Sequence, residues 1–354
     1  MFNDSVVLTS ALAFAAALLI AFALTPVVKS FAYRIGAVDV PKDNRRMHKT
    51  PIPRVGGLAI FLGFLVSVLV FGRIDADMKS ILLGSMVIVL LGIVDDVVAL
   101  KPGTKFIGQF VAAFIPVMAN VRVSVLTNPF NTDSYFRLGW LSVPITVLWI
   151  VGMTNAVNFI DGLDGLACGV SSIASLTVFT IALLVSEPYI AIVMAALAGA
   201  CFGFLPYNLN PAQIFMGDTG SMFLGYILAT MSITGLFKLY AIISFIVPFI
   251  ILGLPIFDTG FAIVRRLLKG QSPLQADRGH IHHRLVDMGF DQKQSVAILY
   301  AVSVLLGLAA VIFTTSGEMK IAIVAVAVLV SLFLAMNIRI GGRKQQNNSE
   351  KDEK

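Results

Sequence analysis

Residues 80–105 read SILLGSMVIVLLGIVDDVVALKPGTK. A charge-free run, 80–94, closes on two adjacent carboxylates, Asp95 and Asp96. A Pro102-Gly103 turn and two lysines, Lys101 and Lys105, follow. The run is apolar enough to seek lipid, and carboxylates beside lipid are costly. Two of them at a helix C-terminus also oppose the macrodipole. Successive helical residues point about 100° apart, so the pair cannot serve one contact identically. A divalent cation or a cationic ligand would relieve the repulsion. The lysines beyond the turn can fold back over the pair. The plainer alternative is a solvated helix end.

The same design repeats along the chain. Of its 354 residues, 57% are hydrophobic and 13% charged, with a mean hydropathy of +0.89, which is the composition of a polytopic helical membrane protein. Eleven charge-free stretches are candidate spans: 5–28, 55–72, 80–94, 106–121, 138–160, 165–186, 188–217, 219–237, 239–257, 295–317 and 321–338. Two of them, 80–94 and 106–121, are shorter than the roughly 20 residues a perpendicular helix needs, and must borrow flanking residues. The run 188–217 is too long, and Pro206-Tyr207-Asn208 is expected to end its helix. Pro248, Gly253 and Pro255, followed by Asp258, predict a kinked or broken ninth helix.

Lys and Arg set the orientation. With the N-terminus outside, twenty of the 26 basic residues fall on the cytoplasmic side; Arg73, Lys79, Arg122, Arg137, Lys238 and Lys320 fall outside. The net charge of +6 is then mostly a topology signal and gives no reason to expect nucleic-acid binding. The expected fold is all-α, with about eleven transmembrane helices, the N-terminus outside and the C-terminus cytoplasmic. Residues 1–340 form one membrane domain, and 341–354 are a polar, disordered cytoplasmic tail. The first span lacks a basic n-region and is too long for a signal peptide. Cys168 and Cys201 lie within apolar runs and are read as packing residues.

This orientation puts five polar clusters on the cytoplasmic face: 39–57, 95–105, 155–165, 208–221 and 277–284. Clusters that share a face can converge on one site. In the third, Asn158, Asp161 and Asp164 recur every three residues, and glycines favour a turn. N-capping accounts for Asp164 alone but not for all three. In the fourth, Asn208 precedes Phe215-Met-Gly-Asp218-Thr-Gly-Ser221. A carboxylate and a hydroxyl flanked by glycines suit Mg²⁺ beside phosphate oxygens. Phe215 either stacks on a base or packs. The fifth, His280-Ile-His282-His283-Arg284, holds three of the four histidines. No cysteine accompanies them and arginines flank them, which favours phosphate over zinc. The first carries Arg45, Arg46, His48 and Arg54 among prolines and glycines. Its basic residues serve as positive-inside anchors or meet a phosphorylated lipid at the bilayer surface.

These motifs together resemble the polyprenyl-phosphate N-acetylhexosamine-1-phosphate transferases, over nearly the whole chain, from Asp39 to His283. The stretch Arg45–Gly57 and His-Ile-His-His-Arg look most like the GlcNAc-1-phosphate branch, WecA and TagO. The resemblance implies a bacterial plasma-membrane enzyme that moves GlcNAc-1-phosphate from UDP-GlcNAc to undecaprenyl phosphate. UMP would be released, starting a surface polymer of the teichoic-acid type. It implies catalytic roles for Asp95, Asp96 and Asp218, with Mg²⁺ (or Mn²⁺) on Asp218 and Asp96. Substrate contacts would come from His48, Lys105, Asn158, Asp161, Asp164, Asn208, Phe215, His280, His282, His283 and Arg284. A homodimer is compatible with this reading. By analogy with the family, Asp95 would deprotonate the lipid phosphate. A phosphate monoester has a second pKa of about 6, however, and is mostly dianionic at neutral pH. Asp95 would then act instead by positioning Lys105 or the metal.

Two alternatives stay open at this point. One is the phospho-MurNAc-pentapeptide translocase branch. The other is an ion-coupled transporter, which predicts acidic residues near the bilayer midplane and internal two-fold symmetry.

Overall fold

The computed structural model describes residues 4–41, 50–127, 135–236, 242–270 and 279–315, together with 323, 324, 326, 327, 330 and 331. His48, Arg45 and Arg46, most of the eleventh candidate span and the whole tail 341–354 lie outside the described residues.

Twelve α-helices occur among the described residues: α1 Asp4–Ile35, α2 Gly57–Phe71, α3 Ala76–Val98, α4 Pro102–Met118, α5 Ser142–Ile160, α6 Leu166–Leu184, α7 Pro188–Asn208, α8 Gly217–Met231, α9 Ile242–Ile251, α10 Gly253–Leu268, α11 Ile281–Asp287 and α12 Gln292–Thr314. Two short antiparallel ladders join loops. β1 Val38–Asp39 pairs with β2 Ile52–Pro53, and β3 Val125–Thr127 with β4 Tyr135–Arg137.

Six helices are long and apolar enough to cross a membrane: α1, α3, α5 with its preceding 3₁₀ turn, α6, α7 and α12. The chain is thus helical and polytopic, with six rather than eleven helices of full spanning length among the described residues. The reason for the difference is local. The short run 80–94 becomes α3, of 23 residues, by taking in Asp77, Lys79, Asp95 and Asp96 at its ends. The run 106–121 gains only Pro102–Lys105 and stays at 17 residues. Pro102 opens α4 at its first turn, where a missing N–H costs nothing. The ninth run is divided at Leu252 into α9 and α10, as its prolines predict, and α7 stops at Asn208.

The functional consequence of the packing lies in α8. Every residue from Thr219 to Met231 is buried. The helix is surrounded by α2, α3, α5 and α6. Small residues let the backbones touch where these helices cross. A Cβ on Gly57 would sit 2.0 Å from the Gly220 Cα, and one on Gly92 would sit 2.4 Å from the Thr219 Cα. These two crossings bring the start of α2 and the last turns of α3 against the first turn of α8. Asp95, Asp96 and Asp218, far apart in sequence, are thereby neighbours.

Candidate active site

The carboxylate of Asp96 fastens α8. Its Oδ1 accepts from the Asp218 amide at 2.9 Å, and its Oδ2 accepts from the Thr219 amide at 3.0 Å and the Thr219 hydroxyl at 2.7 Å. A carboxylate on the free N–H groups of a helix start satisfies them and complements the dipole. Gly217 leads into this contact at φ +71°, and a Cβ there would lie 2.5 Å from Asp96 Oδ2. Gly217→Ala is therefore expected to cost about 1–3 kcal/mol in backbone strain and displacement. Thermal unfolding of the purified protein should fall visibly, with activity falling further because Asp218 is moved.

Asp95 turns the other way. Its Oδ1 accepts from the Leu100 amide at 2.7 Å, and its Oδ2 pairs with Lys105 Nζ at 3.0 Å. Lys105 also reaches Asp218 Oδ1 at 3.1 Å and Asn158 Oδ1 at 3.2 Å. The Asn158 amide donates to Asp218 Oδ1 and, at 2.7 Å, to the Ser221 hydroxyl. One ammonium thus bridges a buried carboxylate, Asp95, and a partly exposed one, Asp218, from different helices. The Asp218 side chain keeps 28% exposure against 6% for Asp95, so Asp218 is the one that meets solvent.

The end of α5 supplies further carboxylates. The helix stops at Ile160, and 161–165 form a turn, not a helical face. Asp164 does not cap α6, whose N-cap is Gly165. It accepts instead from Asn210 Nδ2 at 3.0 Å and the Ala212 amide at 3.1 Å, pinning the loop after α7. Asn208 ties the same loop from the other side: Oδ1 accepts from the Gly165 amide at 3.1 Å, and Nδ2 donates to the Ile214 carbonyl at 3.0 Å. Burial, with the charges of Asp218 and Asp96, pushes the Asp161 carboxyl up to about 8, against the pull of Arg54.

All five polar clusters contribute to one cavity of about 590 Å³. Its walls include Arg54 from the first, Asp96 from the second, Asn158, Asp161 and Asp164 from the third, Asn208, Phe215 and Asp218 from the fourth, and His283 from the fifth. Phe215 is set by main-chain bonds: its amide donates to the Pro53 carbonyl at 2.8 Å, and its carbonyl accepts from Gly56 at 3.0 Å. Five carboxylates line this space, those of Asp39, Asp96, Asp161, Asp164 and Asp218, and Arg54 is paired with Asp39 at 3.3 Å.

The histidines divide. His283 lines the cavity. His280 and His282 are buried and do not line it, and Arg284 is exposed on α11. His280 Nδ1 meets Asp258 Oδ2 at 2.8 Å. His282 packs against Gly162, and burial with its histidine neighbours pulls its ring down to about 4, so it is neutral at physiological pH. No group of three or more His, Cys, Asp or Glu side chains is arranged to hold a metal among the described residues. That leaves room for Mg²⁺, which keeps its waters and takes one or two carboxylates beside phosphate oxygens. A cavity lined by five carboxylates, with Asp218 partly exposed, fits that ion's chemistry.

Three contacts were not singled out in the sequence. Gln109 and Asn155 exchange side-chain hydrogen bonds of 2.6 and 3.3 Å deep in the helices. Asn210 donates to Gln292 at 2.8 Å, which brings α12 to the cavity wall. Asp258, which in the sequence merely follows a helix break, meets the His280 ring and the Ile281 amide. An amide side chain carries no signal of a partner 46 or 82 residues away.

The family model described as glycosyl transferase family 4 matches residues 78–236. A relative from Bacillus subtilis (strain 168), "Probable undecaprenyl-phosphate N-acetylglucosaminyl 1-phosphate transferase", is 43% identical over 86% of this chain and 85% of its own. A decaprenyl-phosphate N-acetylglucosaminephosphotransferase from Mycolicibacterium smegmatis is 35% identical over 90% of this chain and 86% of its own. A phospho-N-acetylmuramoyl-pentapeptide-transferase from Staphylococcus epidermidis is more distant, at 31% over 82% of this chain and 95% of its own. The long match to the first of these, with the family model spanning α3 to α8 where Asp95, Asp96, Asn158 and Asp218 meet, places the chain in glycosyl transferase family 4.

Proposed function

We propose that the protein transfers GlcNAc-1-phosphate from UDP-GlcNAc to a polyprenyl phosphate, undecaprenyl phosphate in this reading, and releases UMP. The observation that carries it is the convergence of five separate polar segments on one cavity, in a chain whose more similar relatives bear the names of GlcNAc-phosphate transferases. An oxygen of the acceptor phosphate attacks the β-phosphorus of the donor. The bond from that phosphorus to the bridging oxygen breaks, and the electron pair leaves with UMP. Such a transfer needs positioning and charge neutralisation more than covalent chemistry.

A donor with two negative phosphates would not settle among five carboxylates unaided. Mg²⁺ on Asp218, with Asn158 and Ser221 beside it, would neutralise the diphosphate and the charge developing on it. Asp96, already holding α8, serves by keeping Asp218 in place. Lys105 offsets the charges of Asp95 and Asp218 and so holds Asp218 at the cavity. Asp95 is a positioning group for Lys105 in this reading. Arg54 supplies positive charge at the edge of the cavity, His283 a ring that can hydrogen-bond a phosphate oxygen, and Phe215 a ring for the base.

The topology proposed with this function keeps eleven helices, the N-terminus outside and the cavity on the cytoplasmic face, where a soluble nucleotide sugar arrives. The transporter alternative finds less support. Asp95 and Asp96 lie in the last turn of α3 and Asp218 in the first turn of α8, at helix ends and not at their middles.

The test is UMP release by purified protein given UDP-GlcNAc, undecaprenyl phosphate and Mg²⁺. Excess UDP-MurNAc-pentapeptide should barely slow transfer from labelled UDP-GlcNAc. If the pentapeptide donor is the better substrate, the branch is wrong although the reaction type stands. If neither nucleotide releases UMP, the proposed activity is wrong.

A further inference from the structure

The helix α10 holds the histidine segment at three successive residues. Arg265 Nη1 donates to the Gly279 carbonyl at 2.8 Å. Asp258 Oδ2 meets His280 Nδ1 at 2.8 Å, and Asp258 Oδ1 accepts from the Ile281 amide at 2.7 Å. The Asp258 side chain is 3% exposed and that of His280 9%. A buried carboxylate placed on the first free N–H of α11 and on a ring nitrogen spends both oxygens on this segment. A carboxylate accepts, so Nδ1 of His280 carries the proton.

From there the contacts run ring to ring. His280 lies parallel to His282, with centroids 5.7 Å apart and planes 9° apart. His282 meets His283 at 4.3 Å, and His283 lines the cavity. The other wall of His282 is Gly162, between Asp161 and Leu163. Another face of α10 is apolar and exposed, through Phe257, Phe261, Val264 and Leu268. Nothing in α10 itself reaches the cavity lining. Asp258 therefore has no direct part in the chemistry, yet the segment that bears His283 hangs on it.

We infer that Asp258 is a positioning residue for the transfer: it fixes the ring of His280 and, through the stacked His282, the place of His283 in the cavity. This rests on the function proposed above. Both oxygens of the buried Asp258 carboxylate are taken up by this segment, one by the His280 ring and one by the Ile281 amide at the start of α11.

The test uses the full-length protein and three variants, Asp258→Asn, His283→Ala and the double variant. Asp258→Asn keeps the shape and loses the charge. It is expected to lower kcat for UMP release about 10- to 100-fold, the range for losing a partner that orients a histidine. The KM for the lipid acceptor and the unfolding midpoint should stay near wild type. The double variant should be no slower than His283→Ala alone, because both changes act on one element. Asp258→Glu should recover part of the loss. Full activity in Asp258→Asn, multiplied losses in the double variant, or a loss that merely follows a lower unfolding midpoint would overturn the inference. A second arm needs no turnover. Modification by diethylpyrocarbonate, read by mass spectrometry, should reach His280 and His282 faster in Asp258→Asn than in wild type. Unchanged modification rates sink the positioning role, whereas a wild type that releases no UMP sinks the proposed function.

Discussion

Asp218→Asn should lower transfer by at least about 10³-fold while the protein still folds and inserts. The side chain is the most exposed member of the Asp95–Lys105–Asp218 network, and it opens onto the cavity. An amide of the same shape can keep the bond to Asn158 in a flipped orientation. It cannot offer a second anionic oxygen to a hard cation. Stability should therefore change little and the dependence of rate on Mg²⁺ a great deal. Steady-state UMP release across a Mg²⁺ titration, beside thermal unfolding of the same preparation, separates the two. A variant with near-normal rate and unchanged Mg²⁺ dependence would remove Asp218 from the centre of the site.

Lys105→Met should be nearly as damaging, for a different reason. Lys105 Nζ stands 3.0 Å from Asp95 and 3.1 Å from Asp218. Removing the cation from this partly buried cluster leaves two carboxylates facing each other; the cost is about 3–5 kcal/mol in fully buried pairs and less here, where Asp218 meets solvent. The variant should lose most of its activity and also unfold at a clearly lower temperature. Lys105→Arg keeps the charge and should keep the stability, while its larger planar head displaces Asn158 and lowers the rate. Unfolding curves and UMP release for both variants check this. A Lys105→Met protein of wild-type stability would mean that the bridge is weaker than its geometry implies.

The spans and the site residues differed in how far they were legible. Charge-free runs announced the helices, and the prolines of the ninth run announced the break at Leu252. Helix lengths were less legible, because a span can take in a charge that finds a partner. α3 does so at Asp95 and Asp96. The clusters, read as lying on one face, were expected to converge, and they do line one cavity, but the division of labour within it was not legible. Asp96 and Asp164 look alike in sequence to Asp218, yet they hold a helix start and a loop. His280, His282 and His283 are near neighbours in the chain, and a short helix turns only His283 to the cavity. Such differences depend on which backbone N–H each side chain meets, and that is decided by packing between helices distant in sequence. Gly57, Gly92 and Gly220 decide it here, by letting α2 and α3 close on α8.

The central claim is that the phosphate travels with the sugar, and the fate of one phosphorus atom tests it most directly. Purified protein is given undecaprenyl phosphate and UDP-GlcNAc labelled with ³²P at the β-phosphate, and the products are partitioned between butanol and water. The account predicts that the label moves into the lipid phase and that unlabelled UMP appears in the water phase in equal amount. Label that stays in water as UDP while the lipid gains only sugar would contradict it.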